Sequence, residues 1–555
     1  MINACNEVLC LVNLDPNSPK IFGFSEFLAG LALMVLAWTI ADTRYRFRVK
    51  TAPVPLEKIT FWVVLFVGIL SLMTDLWRAN GFPVIKGNLI SSVTWQALLA
   101  GVYFLTFISW VWFAFIRPSK FSKMTYRRYI ETVYNYILKG SKSELAIVSD
   151  ELSRSTDKII LYATSLPLQF RDRRDIKDIP MIERAANEIL GLISDKRFCQ
   201  AVIESSQTFV LYLFLDIESK NKYNVNIRIF SKNITTEALR YNDSFLYHES
   251  SHYESGIIGK IKPLSSAIFG KFDLVENIGT AFDIDYELEQ TWSDKELKAY
   301  VGAFSLFVED YFGKKNYSHS YVFSRTIDRI VQHSSQLYAL NGLDNIWQSD
   351  SARKLKVITK FFETAIQKLN ARDTQFNYNL RIRGDDLGFS SCIYDSLSNA
   401  MFDVIHNASY ISKPLYSMWS IHHNSVFNSF FLRPKETGEA SKIIQHKLRR
   451  LIYNEIIRLN TSPNFKGARI LGFCLSTLGL KPSEKRTSRN TYALHKAVLS
   501  WVRRNYNSLQ KINSNVSDAC LFDSISYDKS NNRLVKVYEA NGITQVNKYI
   551  YLDLD

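Results

Sequence analysis

The sequence predicts a mainly α-helical fold: three N-terminal transmembrane helices, a large and mostly helical cytosolic region, and a small C-terminal antiparallel β-meander. Three observations predict this class. Long apolar runs occupy residues 21–41, 59–76 and 89–116. Apolar side chains recur at helical spacing through the middle of the chain, whereas residues 519–554 show the alternation that is typical of strands.

Each apolar run has roughly the ~20 residues that a helix needs to cross ~30 Å of hydrocarbon. Lys and Arg cluster in the first connection and after the third run, while the second connection holds only Arg78 and Lys86. Because cytoplasmic loops carry the excess of Lys and Arg, we expect a multi-pass protein of the bacterial inner membrane with its N-terminus outside and residues 117–555 in the cytoplasm. Cys5 and Cys10 would then share an oxidising compartment, in which they could pair.

The chain divides on this basis into four segments. Residues 1–116 form the transmembrane domain, and the basic, tyrosine-rich residues 117–140 are expected to form a juxtamembrane helix on the anionic inner leaflet. Residues 141–515 form a helical cytosolic region of one or two domains, and residues 516–555 form the meander. One helical stripe that we expect to lie in the core consists of Leu355, Ile358, Phe362, Ile366 and Leu369.

Two turns divide the three strands of the meander. Asp528 to Asn532 is rich in turn-forming residues, and Asn541-Gly542 is a two-residue hairpin signal. The sequence therefore predicts strands on either side of each turn.

The positive charge of the chain is concentrated in one stretch. The formal net charge is +15, and residues 440–511 alone hold 15 Lys and Arg against Glu455 and Glu484. Such a surface could neutralise the phosphates of a nucleic acid, dock on anionic lipid, or simply face solvent and acidic parts of the same protein. The residues that we expect to bind an anionic partner are Lys447, Arg449, Arg450, Arg458, Lys485, Arg486, Arg489, Arg503 and Arg504.

This charge pattern leads to the first functional hypothesis, a membrane-anchored binding or sensing protein whose basic C-terminal surface meets an anionic partner. Nucleic acid arriving at the membrane, as in defence against phage, would be one such partner. Because the sequence carries no ordered nucleic-acid motif, anionic lipid stays open as the alternative partner.

A second hypothesis rests on residues 248–252, which read HESSH. On a helix, His248 and His252 would lie on one face and could hold zinc, while Glu249 activated the bound water. The segment resembles the zincin metalloprotease motif over these five residues, and that resemblance implies a membrane-anchored zinc hydrolase. A third ligand would come from Glu276, or from Asp283 or Asp285. The alternative is a polar helix end and turn without metal.

Polar side chains also occur at the outer ends of the apolar runs. Glu26, Asp75 and Gln96 lie near the outer ends of the first, second and third runs, respectively. Polar groups inside a membrane are candidates for ion pathways, although near the interface they are also solvated or bonded between helices. The third hypothesis is therefore a pore, formed when the transmembrane helices assemble into a homo-oligomer and gated by the cytosolic region.

Overall fold

The computed structural model describes residues 4–6, 9–13, 20–40, 42–85, 91–164, 179–249, 262–314, 319–371, 392–432, 438–482, 490–522, 524–538 and 547–555. The chain forms two compact units, an N-terminal unit of Met1–Glu237 and a C-terminal unit of Ala238–Asp555. Helices dominate both units, as the apolar periodicity predicts, and a small antiparallel sheet closes the chain.

The N-terminal unit begins with three short strands and four helices, and three of these helices contain the apolar runs. These are β1 (Ala4–Asn6), β2 (Leu9–Asn13), α1 (Phe24–Ile40), α2 (Thr43–Lys50), α3 (Leu56–Ala79), β3 (Pro83–Ile85) and α4 (Ser92–Val111), which continues as a π-helical turn over Trp112–Ile116. Within the described residues, seven further helices follow: α5 (Tyr126–Lys139), α6 (Lys142–Ser153), α7 (Thr156–Tyr162), α8 (Met181–Leu192), α9 (Lys196–Ser205), α10 (Thr208–Ser219) and α11 (Arg228–Arg240).

Two described helices are long and apolar enough to cross a membrane, rather than clearly three. They are Leu56–Ala79, with 24 residues, and Ser92–Ile116, with 25 residues. Helix α1 is apolar but has only 17 residues, which is shorter than a perpendicular span of ~20 residues requires. The bent pair of α9 and α10 would count as a third span only if the two helices formed one element, and they meet at 106°.

The apolar helices α1, α3 and α4 pack on one another through a few buried side chains and leave much of their apolar surface exposed. The ring of Phe27 on α1 lies against Gly68 of α3, where a Cβ atom would come within 2.8 Å of the ring. Phe27 and Val67 are buried together with Leu99 of α4. On the outside, large side chains that are at least 48% exposed include Phe61, Trp62, Phe66, Met73, Leu76, Phe104 and Leu105.

The segments at the two ends of these helices differ in character. At one end, β1, β2 and β3 form an antiparallel sheet, in which Leu11 pairs with Ile85. The N-terminal tail and the second connection are therefore held together, as the expected topology requires of two segments on one side. This sheet was not predicted, because a strand of three residues is too short to show a pattern.

At the other end, the basic first connection packs on the helices that follow the apolar runs. Arg48 of α2 donates to the Glu151 carboxylate of α6 and to the main-chain oxygen of Ala114. The predicted juxtamembrane helix over 117–140 is shorter than expected, since α5 covers Tyr126–Lys139. Its buried residues include Tyr129 and Val133, so one face of α5 belongs to the core of the unit.

The C-terminal unit contains the remaining helices, with short 3-10 and π-helical segments between some of them. The helices are α12 (Phe245–His248), α13 (Pro263–Phe269), α14 (Phe272–Ile278), α15 (Tyr286–Gln290), α16 (Asp294–Gly313), α17 (Tyr321–Gln332), α18 (Asp350–Asn370), α19 (Ile393–Ala408), α20 (Leu415–Trp419), α21 (Glu439–Arg458), α22 (Phe465–Leu478), α23 (Tyr492–Ile512) and α24 (Ser514–Asp518). The other segments are 3-10 helices at His333–Leu340 and Ile346–Gln348, and a π-helix at Ser420–Leu432.

The predicted β-meander is confirmed by a three-stranded antiparallel sheet. Its strands are β4 (Ile525–Asp528), β5 (Arg533–Tyr538) and β6 (Lys548–Asp553), in that order. The first turn forms as expected, because the Asp528 carboxylate accepts from the Asn531 main-chain N–H at 3.2 Å. Asn541-Gly542 lies outside the described residues.

Candidate anion-binding site on α23

The last long helix, α23, is built from one apolar face and one cationic face. Its buried residues include Leu494, Val498, Trp501, Val502 and Leu509, which share one face of the helix and fix its orientation in the core. The opposite face is left to solvent. Lys511 in the last turn also suits the negative end of the helix dipole.

Three exposed cations follow the solvent face of α23. Lys496, Arg503 and Arg504 lie seven and eight positions apart, which places them on one stripe of the helix. All three line a surface pocket of about 390 Å³, together with the half-buried ring of Tyr492 and the C-terminal Asp555. None of the three cations forms an ion pair with a described residue.

The pocket is held in shape by main-chain contacts rather than by pairing of its charges. The Asp555 main-chain N–H donates to the Arg503 oxygen at 3.0 Å, which fixes the last residues against α23. His495 is buried and bonded to the Gly479 oxygen at 2.9 Å, and burial lowers the pKa of its imidazole. His495 is therefore a neutral wall of the pocket, and the positive charge comes from Lys496, Arg503 and Arg504.

Of the nine cations predicted to bind a partner, Arg503 and Arg504 line this pocket. Arg450 is exposed on α21. Lys485, Arg486 and Arg489 lie outside the described residues.

The structure gives the other predicted cations internal contacts. Lys447 is buried, and its Nζ lies 2.5 Å from the Asp395 carboxylate, so it is not part of an exposed surface. Arg449 is half-buried and donates to the Asn490 oxygen. Arg458 is exposed but pairs with Glu455 at 3.1 Å. The cationic surface is therefore narrower than the sequence predicts.

Tyr492 and Lys496 lie within the basic stretch 440–511 but were not among the nine predicted binding residues, and Asp555 lies outside that stretch. Lys496 carries a signal that could have found it, because it precedes Arg503 and Arg504 by two helical turns on an amphipathic helix. Asp555 carries none, since its position depends on the fold of the meander.

A larger cleft, of about 620 Å³, occurs elsewhere in the C-terminal unit. It is lined by the oppositely charged Asp344 and Lys413 and otherwise by neutral side chains such as Leu415 and Phe522. Because its charges cancel, it offers less to an anionic partner than the pocket on α23.

The HESSH segment does not form a helix across its described part. Helix α12 ends at His248, whose ring is exposed and contacts Asp243. The Glu249 carboxylate accepts from the Leu264 and Ser265 main-chain N–H groups at 2.7 and 2.8 Å, and thereby caps α13. His252 lies outside the described residues.

The proposed third zinc ligand also caps a helix. Glu276 accepts from the Ser320 hydroxyl at 2.5 Å and from the Tyr321 main-chain N–H at 3.0 Å, at the start of α17. Within the described ranges, no group of three His, Cys, Asp or Glu side chains is arranged to hold a metal ion. Glu249 and Glu276 are thus already used by the fold, and the alternative ligand Asp283 pairs with Arg325.

Glu26, Asp75 and Gln96 are brought together by the segment that precedes α1. The Gln96 side-chain oxygen accepts from the Ile21 main-chain N–H at 2.9 Å. Asp75 accepts from Phe24 N–H at 2.9 Å and pairs with Lys20 at 3.1 Å, while Glu26 accepts from Gly23 N–H at 2.9 Å. These side chains fix the start of α1, as the alternative of hydrogen bonding between helices predicts, and the pore stays a hypothesis.

No protein-family model matches the chain, and neither a curated protein nor a solved structure matches it. The functional argument therefore rests on the geometry described above.

Proposed function

We propose that this protein is a membrane-anchored nucleic-acid-binding protein whose ligand is a single strand bound along α23. The observation that carries the proposal is the stripe of Lys496, Arg503 and Arg504, which is exposed and free of ion pairs with described residues, beside Tyr492 in one pocket. Anchoring is supported by the two long apolar helices, Leu56–Ala79 and Ser92–Ile116, and by their exposed aromatic side chains.

The dimensions and chemistry of the stripe suit a phosphodiester backbone. Eight helical positions from Lys496 to Arg504 correspond to about 12 Å of helix, whereas successive phosphates of one strand are about 3.4 Å apart along the axis of B-DNA. Several phosphates therefore fit along the stripe. Tyr492 adds an aromatic face, and base–aromatic stacking contributes about 1–3 kcal/mol per base in proteins that bind single strands.

The tether supplies a reason for this location. A protein held at the inner membrane meets nucleic acid that crosses the membrane, such as entering phage DNA, at a raised effective concentration. The alternative partner, anionic lipid, lacks the bases that Tyr492 would stack on. We therefore expect a chemical distinction between the two ligands at this site.

The test uses the full-length protein in detergent and a labelled single-stranded DNA of about 20 nucleotides. A triple variant, Lys496→Ala/Arg503→Ala/Arg504→Ala, should weaken binding at least about ten-fold. It should also reduce the slope of log affinity against log salt by about 2, since each single-strand phosphate contact contributes about 0.7.

The matched control is Lys295→Ala/Lys298→Ala/Lys356→Ala, which removes the same charge from exposed lysines elsewhere in the C-terminal unit. The control should bind like the unmodified protein. Equal losses in both variants would reduce the effect to net charge, and unchanged binding in the α23 variant would overturn the proposal. Binding to anionic vesicles, without any binding to the oligonucleotide, would assign the site to lipid instead.

A further inference from the structure

A second charged pocket lies in the N-terminal unit, at the start of the candidate span α3. Its volume is about 460 Å³, and it is formed by the end of α2, the first turn of α3 and one face of α5. Its lining contains three cations, Lys50, Lys58 and Arg128, and two carboxylates, Glu57 and Glu131. This pocket is separate from the site on α23 and belongs to the other compact unit.

The charged side chains around this pocket do not form ion pairs with one another. None of these five side chains forms an ion pair with a described residue, and Lys50 and Lys58 are exposed. Arg128 is half-buried and held in place, because one of its terminal nitrogens donates to the Ala52 oxygen at 2.9 Å. Three cations against two carboxylates leave an excess of one positive charge, which favours an anion in the pocket.

The pocket opens beside an exposed apolar surface on α3. Lys58 lies four positions before Trp62 and eight before Phe66, so the three side chains follow one face of α3. Trp62 is 54% exposed and Phe66 is 57% exposed. A ligand with a charged head at Lys58 would therefore lay an apolar tail along this face. A phospholipid combines such a charged head with apolar tails in one molecule.

We propose that this pocket binds the phosphate headgroup of an anionic phospholipid, with Lys50, Lys58 and Arg128 around the phosphate and the acyl chains on Trp62 and Phe66. Basic pockets at the cytoplasmic end of transmembrane helices bind acidic headgroups in this manner. The guanidinium of Arg128 provides planar donors for phosphate oxygens, and the lysines act as point charges. The Glu57 and Glu131 carboxylates accept hydrogen bonds, which the hydroxyl groups of a glycerol headgroup would donate.

The proposal depends on α3 lying in a membrane but not on the ligand of α23. Its test is native mass spectrometry of the detergent-solubilised full-length protein with phosphatidylglycerol, phosphatidylethanolamine or phosphatidylcholine of one acyl composition. Phosphatidylglycerol should remain bound preferentially. Lys50→Glu/Lys58→Glu should reduce the bound phosphatidylglycerol at least about five-fold.

Two controls make the outcomes decisive. Lys158→Glu/Lys196→Glu changes the same charge at exposed lysines outside both the pocket and residues 117–140, and should leave lipid retention unchanged. Trp62→Ala/Phe66→Ala should also lower retention, because a headgroup site for free phosphate would not need the apolar face. The proposal is overturned by equal retention of all three lipids, by equal losses in both charge variants, or by displacement of the lipid with inorganic phosphate alone.

Discussion

Arg48 and Glu151 form a buried, bidentate ion pair that joins the first connection to the helices that follow the apolar helices. The Arg48 Nε and Nη2 atoms donate to the two Glu151 carboxylate oxygens at 2.8 and 2.7 Å. The two side chains are only 7% and 4% exposed. Because Arg48 also donates to the Ala114 oxygen at 3.0 Å, this pair connects α2, α4 and α6 at one place.

We expect Arg48→Ala to lower the free energy of unfolding by about 3–5 kcal/mol. The buried Glu151 carboxylate would lose both hydrogen bonds of the fork and keep only the longer contacts with Arg44 at 3.7 Å and Arg154 at 3.9 Å. Arg48→Lys should recover only part of this loss, since an ammonium cannot make both hydrogen bonds of the fork. Thermal unfolding of the full-length protein in detergent measures both variants.

Arg154→Ala provides the control for this pair. Arg154 approaches the same carboxylate at 3.9 Å but is 47% exposed. An exposed pair contributes about 0–1 kcal/mol, so this variant should unfold close to the unmodified protein. Equal destabilisation by the two alanine variants would show that the buried geometry does not matter.

Local periodicity explains what the sequence could predict about this fold. Leu355, Ile358, Phe362, Ile366 and Leu369 are all buried on α18, as their spacing requires. In the meander, the turn predicted over Asp528 to Asn532 separates β4 from β5. Both features depend on neighbours within a few residues, which is the range over which a sequence pattern reports directly.

Contacts between distant residues explain what could not be predicted. Lys447 is one of the basic residues of α21, yet it points to Asp395, 52 positions earlier, and is buried. Glu249 caps a helix through Leu264 and Ser265, beyond the segment whose spacing suggested a metal site. A charge pattern shows where cations occur along the chain but not which of them the fold neutralises. This is why fewer of the predicted cations are exposed among the described residues than the sequence suggests.

The buried imidazole of His333 predicts a loss of stability in acid. Its ring stacks on Trp292 at 5.3 Å, and burial, followed by the nearby Lys354 and Arg329, lowers its pKa from 6.5 to about 4. Between these two pH values the unfolded chain binds a proton that the folded chain excludes. The contribution of the neutral His333 to the free energy of unfolding is therefore complete above pH 6.5, and it decreases as the pH falls toward 4.

Replacing His333 with Gln should flatten the pH dependence of the unfolding temperature between about pH 7.5 and 5. The Glu289 Oε1 lies 3.6 Å from the His333 Nε2, and burial raises the pKa of the Glu289 carboxyl. Protonation of Glu289 therefore stabilises the folded protein as the pH falls. This opposes the effect of His333 at pH values just above the ordinary pKa of a glutamate. The informative quantity is the difference between the two proteins across this range. The exposed His319, changed to Gln, serves as the control. Parallel curves for His333→Gln and the unmodified protein would contradict the prediction.

The capping role of Glu249 predicts a structural rather than a metal-dependent phenotype. Glu249→Ala should destabilise the protein by about 1 kcal/mol, the usual cost of losing a helix cap. Zinc content, measured by mass spectrometry on the full chain, should be the same in the unmodified protein and in His248→Ala/His252→Ala. About one zinc per chain, lost in the double variant, would restore the hydrolase hypothesis. Glu276→Ala should resemble Glu249→Ala, because that carboxylate caps α17 in the same way.

The register of the N-terminal strands predicts a disulfide between Cys5 and Cys10. The two residues are direct partners in the antiparallel pair of β1 and β2. Directly opposed residues have Cα atoms about 4.5–5.5 Å apart, which falls within the range that a disulfide spans. An oxidising compartment, as the expected topology gives this end of the protein, would allow the bond to form.

Intact mass and peptide mapping after alkylation, with and without reductant, test this bond in protein purified from membranes. We expect Cys5 and Cys10 to be protected until reduction. Cys199, Cys474 and Cys520 should also resist alkylation of the native protein, because they are buried and burial raises the pKa of the Cys474 thiol to about 12. Unfolding without reductant separates the two causes, since it should expose the buried thiols and leave Cys5 and Cys10 protected. Alkylation of Cys5 and Cys10 under those conditions would contradict the disulfide.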